Sequence, residues 1–171
     1  MSRNFELALE KGAVGERVCR LRLERQGWVV YQPVTEGAHA FDMLAIQNKA
    51  RAVAIDVKAK ARLNKWRATG INQKHFETYQ AFSQTHLMPF WLFFVDEYER
   101  KIYGNCLESL ERPVDIDRRT WPAVMTFAGV PTRVWHLDQM ITISDLDEMT
   151  ATELSALSQR SYEFAPTELA Q

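Results

Sequence analysis

Residues 41–60 decide the fold of this chain and read Phe-Asp-Met-Leu-Ala-Ile-Gln-Asn-Lys-Ala-Arg-Ala-Val-Ala-Ile-Asp-Val-Lys-Ala-Lys. Phe41 to Ile46 is one apolar run and Ala52 to Val57 is the next. The segment between them, Gln47 to Arg51, is polar enough to be a turn. This pattern predicts a β-hairpin.

Three charged residues lie at one end of the predicted hairpin. Asp42 is at the start of the first strand and Asp56 is near the end of the second, so antiparallel pairing brings them together. Lys58 follows Asp56 by two residues, and side chains alternate across a strand, so both point to the same face. Two acids and a lysine at this end can hold a divalent cation with a water beside it.

A third acid lies upstream, in a helix predicted from Phe5 to Gln26 and ended by Gly27. Glu16 lies off the apolar stripe of this helix. On the pattern alone, the simpler interpretation of Glu16 is a solvated helix acid.

The order Glu16, Asp42, Asp56-Val57-Lys58 resembles the PD-(D/E)XK nuclease superfamily, and within it the archaeal-type Holliday-junction resolvases and related small nucleases. In those proteins a helix with a Gly-Glu-type acid leads through a Gly-aromatic turn into the first strand. Here that turn is Gln26-Gly27-Trp28. The resemblance covers roughly residues 12–96, about half of the chain.

Two positions depart from the pattern of the family. Phe41 precedes Asp42 where the family has proline, and Asp56 stands where glutamate is commoner. The distance from Glu16 to the turn at Gly27 matches the family arrangement. The resemblance therefore favours a site role for Glu16 over the solvated interpretation.

The resemblance implies a nuclease that hydrolyses DNA phosphodiesters with Mg²⁺ or Mn²⁺. Asp42, Asp56 and the carbonyl of Val57 would be direct metal ligands. Glu16 would bind the same metal through water or help to hold a second one. Lys58 would orient the attacking water and stabilise charge in the transition state.

A basic span follows the predicted metal site, because the sequence has no acid between Asp56 and Glu77. Its density of positive charge suits phosphate binding, and its position favours DNA contact over a solvated charged loop. Gln73 resembles a helix glutamine that several of these nuclease families place by the site. The predicted DNA-binding residues are Lys60, Arg62, Lys65, Trp66, Arg67, Gln73 and Lys74.

For residues 1–111 we predict an α/β restriction-endonuclease-like core of order α-β-β-β-α-β-β, with a mixed central sheet flanked by helices. The run Pro89–Val95 is continuously apolar and predicts a central strand buried on both faces. The other predicted elements of this core are strands Trp28–Gln32 and Lys101–Asn105 and helices Ile71–Thr85 and Leu107–Leu110.

Residues 112–162 are predicted to form a C-terminal β-hairpin and helix extension that packs on the core, and residues 163–171 a flexible tail. The patterns that predict it are strands Val124–Phe127 and Arg133–Leu137 across a Gly129-Val-Pro131 turn, and helix Asp145–Arg160 with a capping box from Thr150 to Glu153.

Composition bounds the class of protein. The chain has 171 residues, of which 46% are hydrophobic, and this is enough for a core. There is no apolar run long enough to span a bilayer and no signal-peptide core, so we expect a soluble cytoplasmic protein. Cys19 and Cys106 are too few for a disulfide framework, and the sequence lacks a Gly-rich phosphate loop and a Gly-x-Ser-x-Gly elbow.

Two other functions stay open. The same fold could be catalytically silent and grip nucleic acid or a partner protein. The acids could also be surface charges of a structural subunit, which predicts neither metal binding nor salt-sensitive DNA affinity. A symmetric homodimer would suit the cutting of a DNA junction, but the sequence identifies no dimer surface.

Overall fold

A computed structural model describes residues 3–34, 40–48, 51–60, 62–63 and 65–158. Groups of consecutive strands lie between the helices, and most strands follow the second helix. The described elements are α1 (Arg3–Arg25), β1 (Val29–Tyr31), β2 (Met43–Gln47), β3 (Arg51–Lys58), β4 (Ala68–Asn72), α2 (Gln73–His86), β5 (Phe90–Asp96), β6 (Lys101–Cys106), α3 (Leu107–Leu110), β7 (Val114–Ile116), β8 (Arg119–Trp121), β9 (Ala123–Phe127), β10 (Val130–His136), β11 (Ile141–Asp145) and α4 (Glu148–Ala156).

The central sheet has six strands in the order β1-β2-β3-β5-β6-β11. β3 and β5 are parallel, and the other neighbouring pairs are antiparallel. The parallel pair needs a long crossover, which residues 59–89 provide through β4 and α2. The predicted α/β fold with a mixed central sheet is therefore confirmed.

The predicted hairpin is β2 with β3. Met43 pairs with Ile55 and Gln47 pairs with Arg51 in antiparallel register. The backbone N–H of Asp42 donates to the carbonyl of Ile55 at 3.0 Å, which extends the pairing beyond β2. Residues 49 and 50 of the predicted turn lie outside the described residues.

Each face of the central sheet buries its own core. Along β5, Phe93 and Val95 pack in the cluster that includes residues of α1 and α4, whereas Leu92 and Phe94 pack in the cluster that includes residues of α2 and α3. Alternation of side chains along a strand produces this division. The prediction that the strand is buried on both faces is confirmed.

The predicted start of the second helix is wrong by two residues, and a strand precedes it. β4 pairs with β10, and β10 pairs with β9, in a separate three-stranded sheet. Gly70 permits this pairing, since a β carbon there would lie 2.4 Å from the carbonyl oxygen of Arg133. Asn72 ends β4 and caps α2 by accepting a hydrogen bond from the N–H of Lys74 at 2.9 Å.

The C-terminal region follows its predicted order with shifted bounds. β9 and β10 form a hairpin whose turn residues, Ala128 and Gly129, have φ of 48° and 79°. The predicted helix start at Asp145 is wrong, because Asp145 ends a strand, β11, that pairs with β6. Asp147 caps α4 by accepting from the N–H of Thr150 at 2.8 Å, so Thr150 lies inside the helix and the predicted capping box is wrong.

The C-terminal region is hydrogen-bonded into both larger sheets, through β10 beside β4 and β11 beside β6. The predicted tail, residues 163–171, lies outside the described residues. Within the described ranges, no helix is both long and apolar enough to cross a membrane.

Candidate active site

Asp56 lies on β3 and is 3% exposed. The ammonium of Lys58 is 2.7 Å from its Oδ2, and the hydroxyl of Tyr79 on α2 donates to its Oδ1 at 2.9 Å. The structure thus confirms that Asp56 and Lys58 share one face of the strand. It also brings a residue from the second helix to the same carboxylate.

The environment of Asp56 favours its neutral form. The pKa of Asp56 is raised to about 6, mainly by burial and in smaller part by the negative charge of Asp42, while Lys58 and Tyr79 act in the opposite direction. Burial and the adjacent Asp56 also raise the pKa of Tyr79, so its phenol remains a hydrogen-bond donor. The charge of Asp42 is therefore close enough to disfavour ionisation of Asp56.

Asp42 lies at the open end of the hairpin, just before β2. Its Oδ2 accepts a hydrogen bond from the backbone N–H of Val57 at 2.7 Å. The thiol of Cys19 on α1 is fully buried, and its pKa is raised by burial and then by the charges of Asp42 and Glu16. The helix acid and the hairpin acid therefore act on the same buried thiol from two elements.

A cleft of about 530 Å³ connects these elements. Its walls include five of the predicted site residues, and Asp56 lies buried behind it. Lys11 and Ser158 complete its far wall, where both contact Glu97 on the turn after β5, at 2.6 and 3.0 Å. The predicted residues that line the cleft are Glu16, Asp42, Val57, Lys58 and Lys60.

The oxygen atoms of the site are of the kind that a hard divalent cation prefers as ligands. Asp42, Asp56 and the carbonyl of Val57 offer oxygen ligands, and a cation would offset the burial and the nearby Asp42 charge that raise the pKa of Asp56. Among the described residues, however, no group of three or more His, Cys, Asp or Glu side chains is placed to hold a metal ion. The Lys58 ammonium supplies the positive charge beside Asp56 in this structure.

Two arginines of the predicted DNA-binding span are neutralised by acids distant in sequence. Arg62 forms ion pairs with Asp96 and with Glu99, the latter at 2.9 Å. Arg67 binds both oxygens of Glu99 at 2.7 Å and also pairs with Asp138. The carboxylates that pair with this span therefore come from the end of β5, from the turn after it and from the C-terminal region. These ion pairs connect parts of the fold that are distant in sequence.

The remaining predicted DNA-binding residues have different surroundings. Lys65 and Lys74 are exposed, and Trp66 is half-buried against Trp121. Gln73, at the first turn of α2, donates to Glu77 at 3.0 Å rather than to a site acid.

Sequence reasoning missed Tyr79 and His75. The helical spacing places Tyr79 with Phe76 on the apolar face of the second helix. A buried tyrosine generally needs a partner for its hydroxyl, and this is the signal that could have found Tyr79. His75 has a pKa lowered by desolvation and then by the charges of Lys58 and Lys60, so it lies within their electrostatic reach. Nothing in the sequence spacing indicates that proximity.

No protein-family model matches the chain, and no curated protein matches it. Among solved structures, the fold is similar to that of Archaeoglobus fulgidus Hjc, a Holliday junction resolvase from an archaeal hyperthermophile, determined at 1.6 Å resolution. The TM-score is 0.53 and the sequence identity is 15%, over 78% of this chain and 92% of the resolvase. The likeness shows a shared fold and agrees with the resemblance found in the sequence.

Proposed function

We propose that this chain is a metal-dependent nuclease that hydrolyses DNA phosphodiester bonds. The observation that carries the proposal is the Asp56–Lys58 pair next to Asp42, at the open end of the hairpin and beside a cleft. The fold shared with a Holliday junction resolvase supports it. A structure-selective activity in DNA repair, recombination, or the processing of phage or mobile-element DNA fits both observations.

Each site residue has a role in the proposed reaction. Asp42, Asp56 and the carbonyl of Val57 would hold Mg²⁺ or Mn²⁺, and Glu16 would reach the same metal through water or help to hold a second one. The metal, when bound, supplies a Lewis acid at the phosphate and lowers the pKa of a bound water. Lys58 would orient the attacking water and offset the negative charge that develops on the phosphate.

The proposed DNA contacts follow from the residues that keep their charge available. Lys60 lines the cleft, whereas Lys65 and Lys74 are exposed, and none of the three has an ion pair within the described ranges. Arg62 and Arg67 are left out because their charges are already paired. A homodimer would suit a junction substrate and remains part of the proposal.

The decisive experiment is the incubation of the protein with branched, linear and single-stranded DNA in Mg²⁺, Mn²⁺ or EDTA. Asp42→Asn and Asp56→Asn should each abolish cleavage and weaken Mn²⁺ binding in calorimetry, because each removes a charged oxygen. Asp115→Asn is the matched control, since Asp115 is exposed and only accepts from Thr120. Unchanged Mn²⁺ affinity in both site variants would show that Asp42 and Asp56 are not metal ligands.

A second function has an observation of its own. Lys58 already neutralises Asp56, and the described part of the chain has no assembled three-ligand cluster. These features suit a catalytically silent module with the same fold that binds nucleic acid or a partner protein. Salt-sensitive DNA binding without Mn²⁺ binding or cleavage would identify that function.

A further inference from the structure

The β7–β8 hairpin packs on the loop that follows the candidate site. Trp121, which ends β8, is fully buried, and its ring centroid lies 6.3 Å from that of Trp66 in an edge-on arrangement. Trp121, Ala68 and Val134 form a small core, and Leu63 and Trp66 pack against it. The hairpin is therefore fixed to the loop that leads away from Lys58 and Lys60.

Arg119 presents its guanidinium on this packed pair of rings. The guanidinium carbon lies 4.5 Å from the centroid of Trp66 and 5.7 Å from that of Trp121. Cation–π contact restrains the long side chain, and a planar guanidinium that stacks on a ring keeps its N–H edge directed outward. Arg119 remains exposed, so that edge is accessible to a ligand.

The acidic and the basic side chains of the β7–β8 hairpin differ in their partners. Asp115 accepts from the hydroxyl of Thr120 at 2.7 Å, and Asp117 lies 3.6 Å from the buried His136. Arg118 and Arg119 have no carboxylate within ion-pair distance among the described residues. Both acids are themselves exposed, but each has a polar partner in the fold, whereas neither arginine has an ion pair in the described chain.

Lys65 adds a third positive charge to the same region. It immediately precedes Trp66 in the chain, is exposed, and has no ion pair in the ranges that the structure describes. Its neighbour Arg67 is fully engaged by Glu99 and Asp138, so Lys65 is the charge of this loop that stays available. We call the group of Lys65, Trp66, Arg118 and Arg119 the Trp66 surface.

We propose that the Trp66 surface is a second DNA-binding surface, separate from the cleft, which holds phosphates of the duplex flanking the cleaved bond. This inference rests on the proposed function for the identity of its partner. Two guanidinium groups and an ammonium suit phosphate oxygens, and phosphate contacts hold DNA without reading its sequence. It gives the C-terminal region a role in substrate binding.

The test is a salt series of binding isotherms with duplex DNA in Ca²⁺, which usually supports binding without cleavage in sites of this kind. Arg119→Gln should reduce the slope of log affinity against log salt by about one, because one phosphate contact is lost. Arg119→Lys should restore that slope, because it keeps the charge. Arg112→Gln is the matched control, since Arg112 is an exposed arginine that pairs with Glu108 on α3.

Each outcome decides the inference separately from the proposed activity. A flatter slope for Arg119→Gln, with that of Arg112→Gln unchanged, supports the surface even if the protein cleaves nothing. Cleavage by the wild type together with an unchanged slope for Arg119→Gln overturns the surface and leaves the nuclease intact. Equal slope changes in both variants, or a wild type that does not bind DNA, also overturn the inference.

Discussion

The hydroxyl of Tyr79 donates a hydrogen bond to Asp56 at 2.9 Å, and the Tyr79 ring stacks on Phe90 with centroids 4.6 Å apart. The other carboxylate oxygen of Asp56 meets Lys58. Asp56 is therefore oriented by one neutral and one charged donor. Because the stacked ring is rigid, Tyr79 fixes the direction of the carboxylate that we propose as a metal ligand.

Tyr79→Phe should weaken Mn²⁺ binding by roughly 10- to 100-fold, the usual effect of removing a partner that orients a ligand. The ring and its stacking remain, so the fold should persist. Calorimetry with Mn²⁺ measures the change.

Tyr103→Phe is its control, because Tyr103 also donates to a carboxylate, Glu99, but in the ion-pair cluster. It should leave the Mn²⁺ affinity unchanged. If the two phenylalanine variants lose affinity equally, Tyr79 has no special role in positioning Asp56.

The sequence predicted the elements whose signals are local. The hairpin of residues 41–57 has two apolar runs on either side of a polar segment in the sequence, and its register places Asp42 against Asp56 as expected. β5 is short and is apolar from Phe90 to Val95, a pattern that is typical of a strand packed between two layers.

Elements whose partners are distant in sequence were missed. The helix predicted from Ile71 includes the last two residues of β4, because nothing near Gly70 indicates that β10 lies beside it. The ion pairs of Arg67 were missed for the same reason, since Glu99 and Asp138 are 32 and 71 residues away. A basic span in a sequence therefore does not identify a basic surface.

Asp56 should make the stability of the metal-free protein depend on pH. Its pKa is about 6 in the fold against an ordinary value of 3.8, so between pH 3.8 and 6 the folded state holds a proton that the unfolded state has lost. Stability should therefore fall as pH rises from about 4 to 6, by at most about 3 kcal/mol.

Urea unfolding in EDTA at pH 4 and pH 7 tests this expectation. Asp56→Asn cannot titrate, so it should lack this part of the pH dependence and gain stability relative to the wild type at pH 7. An identical pH dependence in both proteins would show that Asp56 ionises normally.

Lys58→Ala should retain DNA binding but lose on the order of a hundredfold or more in cleavage rate, as preorganised charge at a transition state typically contributes. Single-turnover kinetics at about pH 8 are needed, since loss of Lys58 removes a charge that keeps Asp56 ionised. Arg112→Ala, at an exposed arginine that pairs with Glu108, is the control. A rate within a few-fold of the wild type would remove Lys58 from the mechanism.

Lys65 and Arg67 should respond in opposite ways to replacement by alanine. Lys65→Ala should flatten the salt dependence of DNA binding by about one unit of slope without changing stability, because Lys65 is exposed and makes no ion pair within the described chain. Arg67→Ala should leave the slope unchanged but destabilise the fold by roughly 1–3 kcal/mol.

The reason is the network around Glu99. Hydrogen bonds from Arg67 lower the pKa of Glu99 to about 2, and Arg67 also contacts Tyr103. Loss of Arg67 leaves these partly buried groups with fewer partners. Paired salt-titration and urea-unfolding curves for the two variants check the assignment, and a flatter slope for Arg67→Ala would return Arg67 to the DNA surface.

Substitution of the two glycines of α1 by alanine should distinguish the effect of helix propensity on stability from that of packing against β3. A β carbon at Gly12 would have no atom within 4 Å, whereas one at Gly15 would lie 3.0 Å from the β carbon of Ala59 and 3.6 Å from Val57. Gly12→Ala should therefore stabilise the protein by roughly 0.5–1 kcal/mol, the ordinary gain for alanine in a helix. Gly15→Ala should gain less or lose stability, because the helix must move away from the strand that carries Asp56.

That movement of the helix would also displace Glu16, so cleavage should fall in Gly15→Ala and persist in Gly12→Ala. Equal stabilisation and equal activity of the two variants would show that close packing at Gly15 does not position the helix acid.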